Sequence, residues 1–143
     1  MKNMFNFDHE LISVKSILLM KKIELEFILN TSVKILYSRL STPTGLNEWY
    51  ADKVSEKDNI FTFEWEGVEE SAELVASKDQ SMVRFHWIES EDDESYFEFR
   101  IEEHELTNDV ALIVTDFVID DEEDEAVELW NTQIGNLRRV IGA

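Results

Sequence analysis

Few side chains in this sequence of 143 residues have the types and spacing that catalysis or metal binding requires. The chain has no cysteine and three histidines, His9, His86 and His104. This composition excludes a cysteine nucleophile, a thiolate zinc site and disulfide bonds. It also argues against a catalytic triad or a histidine-rich metal centre. We therefore predict no metal site, no cofactor and no catalytic residues of these kinds.

The two internal histidines lie in strand-like segments. His86 alternates with the apolar Phe85 and Trp87, so it is expected to point away from the core or to pair with a strand neighbour such as Glu98 or Glu102, with a role in a site as the alternative. His104 lies among glutamates without recurrent ligand spacing. It is expected at a solvated rim.

Carboxylates are abundant, so their presence alone says little about function. The runs at residues 91–94 and 120–125 lack the glycine and the alternation of a calcium loop, which favours solvated charge. Asp116 differs because apolar residues, including Val114 and Phe117, surround it. If buried, it would have a raised pKa and could act as an acid or base. The alternative is that it faces solvent at the rim of a sheet.

Charge and composition narrow the function classes further. The chain has 13 basic and 32 acidic residues, a net charge of −19, which repels nucleic acid and anionic lipid headgroups. Its four glycines form no phosphate-binding loop. Nine Phe, four Trp and three Tyr supply a substantial core. No uncharged apolar run is long enough to cross a membrane, and the absence of cysteine fits a cytoplasmic protein.

Periodicity defines one domain at residues 20–143, preceded at residues 1–19 by either a loosely attached extension or the product of a start codon assigned too early. Residues 22–29 alternate as a strand with one buried face. Asn30 or Thr31 could cap a short helix that follows, and Pro43 marks the start of a second one. Both helices are expected to be brief.

The middle of the chain is predicted to be almost entirely strand. Strands are expected at 60–65, 82–88 and 110–119, with a weaker one at about 71–77. Turns are expected at Asp58-Asn59 and at Glu66-Gly67. A further strand begins at Tyr96 and is expected to reach Leu106, whose phase suggests a bulge near residues 103–105.

The C-terminal segment has strong helix signals. Asp120 or Asp121 could cap it, acids occupy its first turn, and Arg138 and Arg139 lie near its end. An apolar stripe of about four turns runs along it, formed by Val127, Trp130, Ile134, Leu137 and Ile141. We therefore predict an α+β fold in which a curved antiparallel sheet of six to seven strands wraps around this helix.

Several segments resemble the START-like, or helix-grip, superfamily (SRPBCC; the birch-pollen-allergen fold). They are residues 22–29, the Gly45–Tyr50 segment after Thr42-Pro43, Phe61–Trp65, and Glu128 through Leu137. The motif Pro43-Thr44-Gly45-Leu46-Asn47-Glu48-Trp49 is similar to the branch that contains activators of the heat-shock-protein ninety ATPase. The resemblance covers about residues 21–141. It implies the fold, but the scaffold serves carriers, enzymes and chaperone regulators alike.

The inward aromatic rings are the main candidates for a binding site. They are expected either to line a cavity between sheet and helix or to fill that space. The candidates are Trp49, Phe61, Phe63, Trp65, Phe85, Trp87, Phe97, Phe99 and Trp130.

These observations leave three functions open. The first is a noncatalytic module that binds a small apolar or lipid-like ligand in the sheet–helix cavity. The second is a protein-interaction module that uses the acidic surface, as the resemblance to chaperone-ATPase activators implies. The third is a cyclase- or hydrolase-type enzyme that uses Asp116. The sequence also allows a homodimer.

Overall fold

The computed structural model describes residues 20–143, and the predicted extension at residues 1–19 lies outside them. The strands are β1 (Met20–Leu29), β2 (Lys53–Lys57), β3 (Ile60–Trp65), β4 (Val68–Lys78), β5 (Met82–Trp87), β6 (Phe97–Glu103) and β7 (Val110–Ile119). The helices are α1 (Val33–Ser41), α2 (Pro43–Trp49) and α3 (Glu123–Ile141), with a 3-10 turn at Asp120–Glu122 before α3. No helix within these residues combines the length and apolarity of a membrane-spanning segment.

The seven strands form one antiparallel sheet in the order β1-β7-β6-β5-β4-β3-β2. The sheet is curved, two short helices follow its first strand, and α3 packs against its concave face. The predicted fold class is therefore confirmed. Alternation explains the buried face, because every second residue of a strand points to the same side.

Two tight turns connect β2 to β3 and β3 to β4 at one edge of the sheet, at the positions that the sequence predicted. Asp58 and Asn59 both have positive φ, as do Glu66 and Gly67. Two successive residues of this kind form the turn whose twist matches that of an antiparallel hairpin. The turns set the register in which Lys53 lies opposite Glu64 and Trp65 opposite Val68.

The sequence-based description of the strands needs three corrections. The edge strand β2 had no clear signal, because only Val54 of its five residues is partly buried. β4 is longer than expected, and the bulge lies here, between Leu74 and Ala76. The predicted bulge near residues 103–105 is wrong. Leu106 is out of phase because β6 ends at Glu103 and Leu106 is exposed in the following turn.

The helix caps also differ from those expected. Ser32, rather than Asn30 or Thr31, caps α1 by accepting the Ile35 N–H at 3.1 Å. Thr42 caps α2, with Pro43 in its first turn. A Cβ at Gly45 would lie 2.1 Å from the Ser38 carbonyl oxygen, so only glycine permits this close corner between α1 and α2.

The helix α3 buries the predicted apolar stripe. Trp130, Ile134 and Leu137 are fully enclosed, and Val127 and Ile141 are partly enclosed at the two ends. Neither Asp120 nor Asp121 caps the helix, because the 3-10 turn leads directly into it without a side-chain cap. Gly142 ends it in the left-handed conformation.

A buried carboxylate pairs with two arginines on the outer face of the sheet. Glu98 is 3% exposed and lies between two arginines. Arg84 approaches it at 2.6 Å and Arg100 at 3.2 Å. The Arg84 guanidinium also lies 4.0 Å from the centre of the Tyr96 ring. Both arginines thus pair with a strand carboxylate on the face of the sheet opposite the aromatic core.

Replacing Glu98 tests whether this ion cluster stabilises the sheet. Glu98→Gln leaves two arginines without their shared partner, and each of these is still about one-third exposed to water. We expect a loss of about 1–3 kcal/mol in the free energy of unfolding, below the cost for a fully buried pair. Urea denaturation measures it. The half-exposed Glu102, which also contacts Arg100, supplies the control Glu102→Gln, for which we expect less than about 0.5 kcal/mol. Equal losses in the two variants would contradict the assignment.

Candidate functional site

The aromatic residues predicted to line a cavity form one packed network. Each of the nine rings has another ring within 4.9–6.4 Å, measured between centroids. Phe63, Phe85, Phe97, Phe99 and Trp130 are fully buried, whereas Trp65 and Trp87 are partly exposed at one end. These contacts are typical of rings that fill an interior. The two partly exposed tryptophans lie at the rim of this network.

Tyr50, which was not among the predicted site residues, is the centre of this network. It follows α2, and its ring lies within 5.1–6.1 Å of six other rings from α2, the sheet and α3. Its backbone carbonyl accepts the Trp65 indole N–H at 2.8 Å and the Gln133 amide N–H at 3.0 Å. Tyr50 thus joins all three layers of the fold.

Asp116 is buried on the concave face of β7, with 7% of its surface exposed. Its Oδ2 accepts the Trp130 indole N–H at 2.9 Å, and its Oδ1 accepts the Phe117 backbone N–H at 2.8 Å. Burial raises the pKa of Asp116 to about 7, although both hydrogen bonds act in the opposite direction. The pKa of the nearby Tyr50 phenol is also raised well above its ordinary value, first by burial and then by the charges of Asp116 and Glu70.

A cleft of about 640 Å³ opens where the C-terminal end of α2 and the loop at residues 50–52 face α3, with Trp65 at the end of β3 beside it. Its size lies within the range of small-molecule sites. Its apolar surface comes from Trp49, Tyr50, Ala51, Trp65, Leu129 and Val140. One polar wall consists of Thr132, Gln133, Asn136 and Arg139 of α3. The opposite side carries Asn47, Glu48 and Asp52.

The remaining sequence candidates lie outside this cleft. His86 lies with Arg84 on the face away from the core, as expected, but its Nε2 lies 3.1 Å from the Asp92 carbonyl oxygen and does not pair with Glu98 or Glu102. His104 lies 3.7 Å from Glu26 at an exposed rim. Between residues 20 and 143, no three His, Asp or Glu side chains are arranged to hold a metal ion.

The sequence indicated only part of the cleft. Trp49 and Trp65 were candidates, but Leu129, Gln133, Asn136, Arg139 and Val140 were not. Their positions follow helical spacing beside the apolar stripe of α3, which was the available signal. The missing information was that α2 and β2 stop short of covering this flank.

The raised pKa of Asp116 predicts a specific pH dependence. The folded protein holds this proton more tightly than the unfolded chain, so the stabilising contribution is complete below about pH 4 and is lost as pH rises through about 7. Between about pH 4 and pH 8, the free energy of unfolding of the wild type should fall by about 4 kcal/mol relative to Asp116→Asn, because each unit of pKa difference is worth about 1.4 kcal/mol. Urea denaturation across this range measures the difference.

The exposed Asp93 provides the control for this prediction. Asp93→Asn should reproduce the wild-type pH dependence. The indole N–H resonance of Trp130, which contacts Asp116, should titrate near pH 7 in the wild type and not in Asp116→Asn. A pH dependence identical in the wild type and Asp116→Asn would contradict the assignment.

Solved structures place this architecture among known proteins. A Bacteroides fragilis protein named BfR322 is 46% identical, with a TM-score of 0.62, and the match covers 85% of this chain and 90% of that one. The Aha1 dimer protein from Colwellia psychrerythraea is 15% identical, with a TM-score of 0.70 and coverage of 85% and 96%. The MLL2253 protein from Mesorhizobium loti is 16% identical, with a TM-score of 0.70 and coverage of 85% and 97%. The latter two show likeness of fold alone.

Family comparison agrees with the fold. No curated protein matches the sequence significantly. The family model described as a START-like superfamily domain matches residues 17–143, which is nearly the whole chain. The chain therefore belongs to the START-like superfamily.

Proposed function

We propose that the protein is a noncatalytic module that binds a small apolar or lipid-like ligand at the boundary between the sheet and α3. The cleft of about 640 Å³ beside Trp65 carries this proposal, because it combines a suitable volume with aromatic and aliphatic walls. Leu129 and Val140 are exposed there although they are large and apolar. A ligand would remove both from water.

The packing of the interior favours binding at this rim over binding in the centre. The rings of Phe63 and Phe99 both contact the Tyr50 ring, so a central ligand would have to displace closely packed side chains. Trp65 and Trp49 belong both to the predicted lining and to the observed cleft. The ligand is therefore expected to lie against the partly exposed Trp65 indole and the exposed Leu129 side chain, above the buried ring of Tyr50.

The position of Asp116 does not favour the enzymatic alternative. Both carboxyl oxygens already accept hydrogen bonds, from Trp130 and from the Phe117 backbone, beneath α3. A general acid or base has to come within hydrogen-bond reach of a substrate. Asp116 is better explained as a buried group that fixes the Trp130 indole.

Substitution of Leu129 tests the proposed site. The neutral fluorophore phenylnaphthylamine serves as the apolar probe, with fluorescence titration of the full chain as the measurement. Leu129 is 39% exposed, so Leu129→Asn removes apolar contact without opening the core. We expect about a fivefold weaker affinity, corresponding to about 1 kcal/mol of lost burial.

Ile35 on α1 is the matched control, because it is 47% exposed and does not line the cleft. Ile35→Asn should leave the affinity unchanged. Absence of saturable binding to the wild type, or equal weakening by both substitutions, would refute the proposal.

A second candidate function, binding of a basic protein partner, is favoured by one feature of the outer sheet face. Glu64 of β3 lies directly opposite Glu69 of β4. Like charges in this arrangement destabilise a sheet, and Lys53, opposite Glu64 on β2, offsets only part of that repulsion, so the pair suggests a use outside the fold. The net charge of −19 would attract a basic partner before contact. The homodimer that the sequence allows stays a prediction.

Charge-matched variants distinguish a docking surface from general attraction. We expect Glu64→Gln/Glu69→Gln to weaken capture of a basic partner several-fold at about 20 mM salt, and the effect to vanish at about 300 mM salt. Asp124→Asn/Glu125→Gln, at the exposed start of α3, makes the same change of net charge elsewhere. Biolayer interferometry with the captured partner measures the affinity of each double variant. An equal loss of affinity in both would exclude a local docking surface.

A further inference from the structure

The polar wall of the cleft is a directed chain of hydrogen bonds. Arg139 donates to Asn136 Oδ1, Asn136 Nδ2 donates to Gln133 Oε1 at 3.4 Å, and Gln133 Nε2 donates to the Tyr50 carbonyl at 3.0 Å. The direction is fixed at both ends, because a guanidinium can only donate and a carbonyl oxygen can only accept. Neither amide can be reversed without breaking the chain.

This direction determines what the wall offers to a ligand. The side-chain oxygens of Asn136 and Gln133 already accept hydrogen bonds within the chain. Each amide nitrogen retains a second N–H, and the guanidinium retains several. The polar wall of α3 therefore presents mainly donors, and a ligand that matches it has an acceptor at its polar end.

Arg139 is also a cation without an acidic partner. In this acidic protein Arg84 and Arg100 pair with Glu98, but no carboxylate within residues 20–143 lies within ion-pair distance of Arg139. The acids of the cleft are engaged elsewhere. Glu48 pairs with Arg39, and Asp52 accepts the Glu66 N–H at 2.8 Å.

We propose that the cleft binds an amphipathic carboxylic acid. Its apolar body lies against Trp65, Leu129 and Val140, and its carboxylate accepts hydrogen bonds from Arg139 and Asn136. This inference rests on the proposed function and specifies the chemical class of its ligand. The planar guanidinium suits a carboxylate because two parallel N–H groups can contact both oxygens.

Two unfavourable electrostatic fields limit the gain in affinity that the ligand's carboxylate is expected to give. The net charge of −19 repels an anion, although salt screens charges more than about 8 Å away. Arg139 also lies in the last turn of α3, where the helix dipole is negative. A partly exposed pair under these conditions is expected to favour an acid over its neutral amide about three- to tenfold.

The test compares naphthylacetate with naphthylacetamide, which share an apolar body and differ in charge. Isothermal titration calorimetry of the full chain near neutral pH measures both affinities. The wild type should bind the acid about three- to tenfold more tightly, and Arg139→Gln should abolish this preference by weakening the binding of the acid more than that of the amide. Arg138→Gln is the control, because Arg138 carries the same charge one residue earlier and donates to the Ile28 carbonyl of β1 at 2.9 Å. It should retain the preference.

The outcomes separate this inference from the proposed function. If the wild type binds the amide as tightly as the acid, or if Arg139→Gln retains the preference, the carboxylate inference is overturned and apolar binding stands. If both arginine variants lose the preference equally, the effect comes from net charge and the inference also fails. If neither probe binds the wild type saturably, both proposals fail.

Discussion

The burial of Tyr50 between the sheet and two helices is the interaction on which the rest of the structure depends. A sheet with one aromatic face requires a cover, and α3 alone contributes a single row of side chains. The ring of Tyr50 completes that cover by contacting Phe63 and Phe97 of the sheet and Trp130 of α3. Because the residue follows α2 directly, its position also fixes where that helix ends. The arrangement of all three layers is thereby coupled to one side chain.

Because side chains pack closely around Tyr50, the candidate binding site lies at the rim of the fold. The large rings leave little room for a ligand in the centre. The buried carboxyl group of Asp116 uses both oxygens to accept hydrogen bonds from Trp130 and from the Phe117 backbone. Its carboxylate form is costly there because burial disfavours the charge. Beside the loop that follows α2, by contrast, Trp65 and Leu129 retain exposed surface. Exposed apolar surface at the rim, rather than any catalytic motif, distinguishes the candidate site.

Local periodicity predicted much of this fold, whereas features set by tertiary contact were not predictable. Alternation in residues 22–29 and the helical stripe through Trp130 each identify a buried face, and the order of elements then limits the topology. β2 was missed because an exposed edge strand needs no alternation. The sequence admitted two environments for Asp116, since a strand residue near a rim can face either way. The cleft depends on how far α2 and the loop after it extend over α3, which no local pattern specifies.

The donor character of the cleft wall is a consequence of how α2 ends. A helix leaves its last carbonyl groups without intrahelical partners, and these need donors from elsewhere when they are buried. The Tyr50 carbonyl, just beyond α2, obtains two, from Trp65 and from Gln133. Once Gln133 is committed as a donor there, its oxygen faces Asn136, and the oxygen of Asn136 in turn faces Arg139. A requirement of folding at one helix end thus orients a row of polar groups on another helix, and the unused N–H groups of that row are what a ligand would meet.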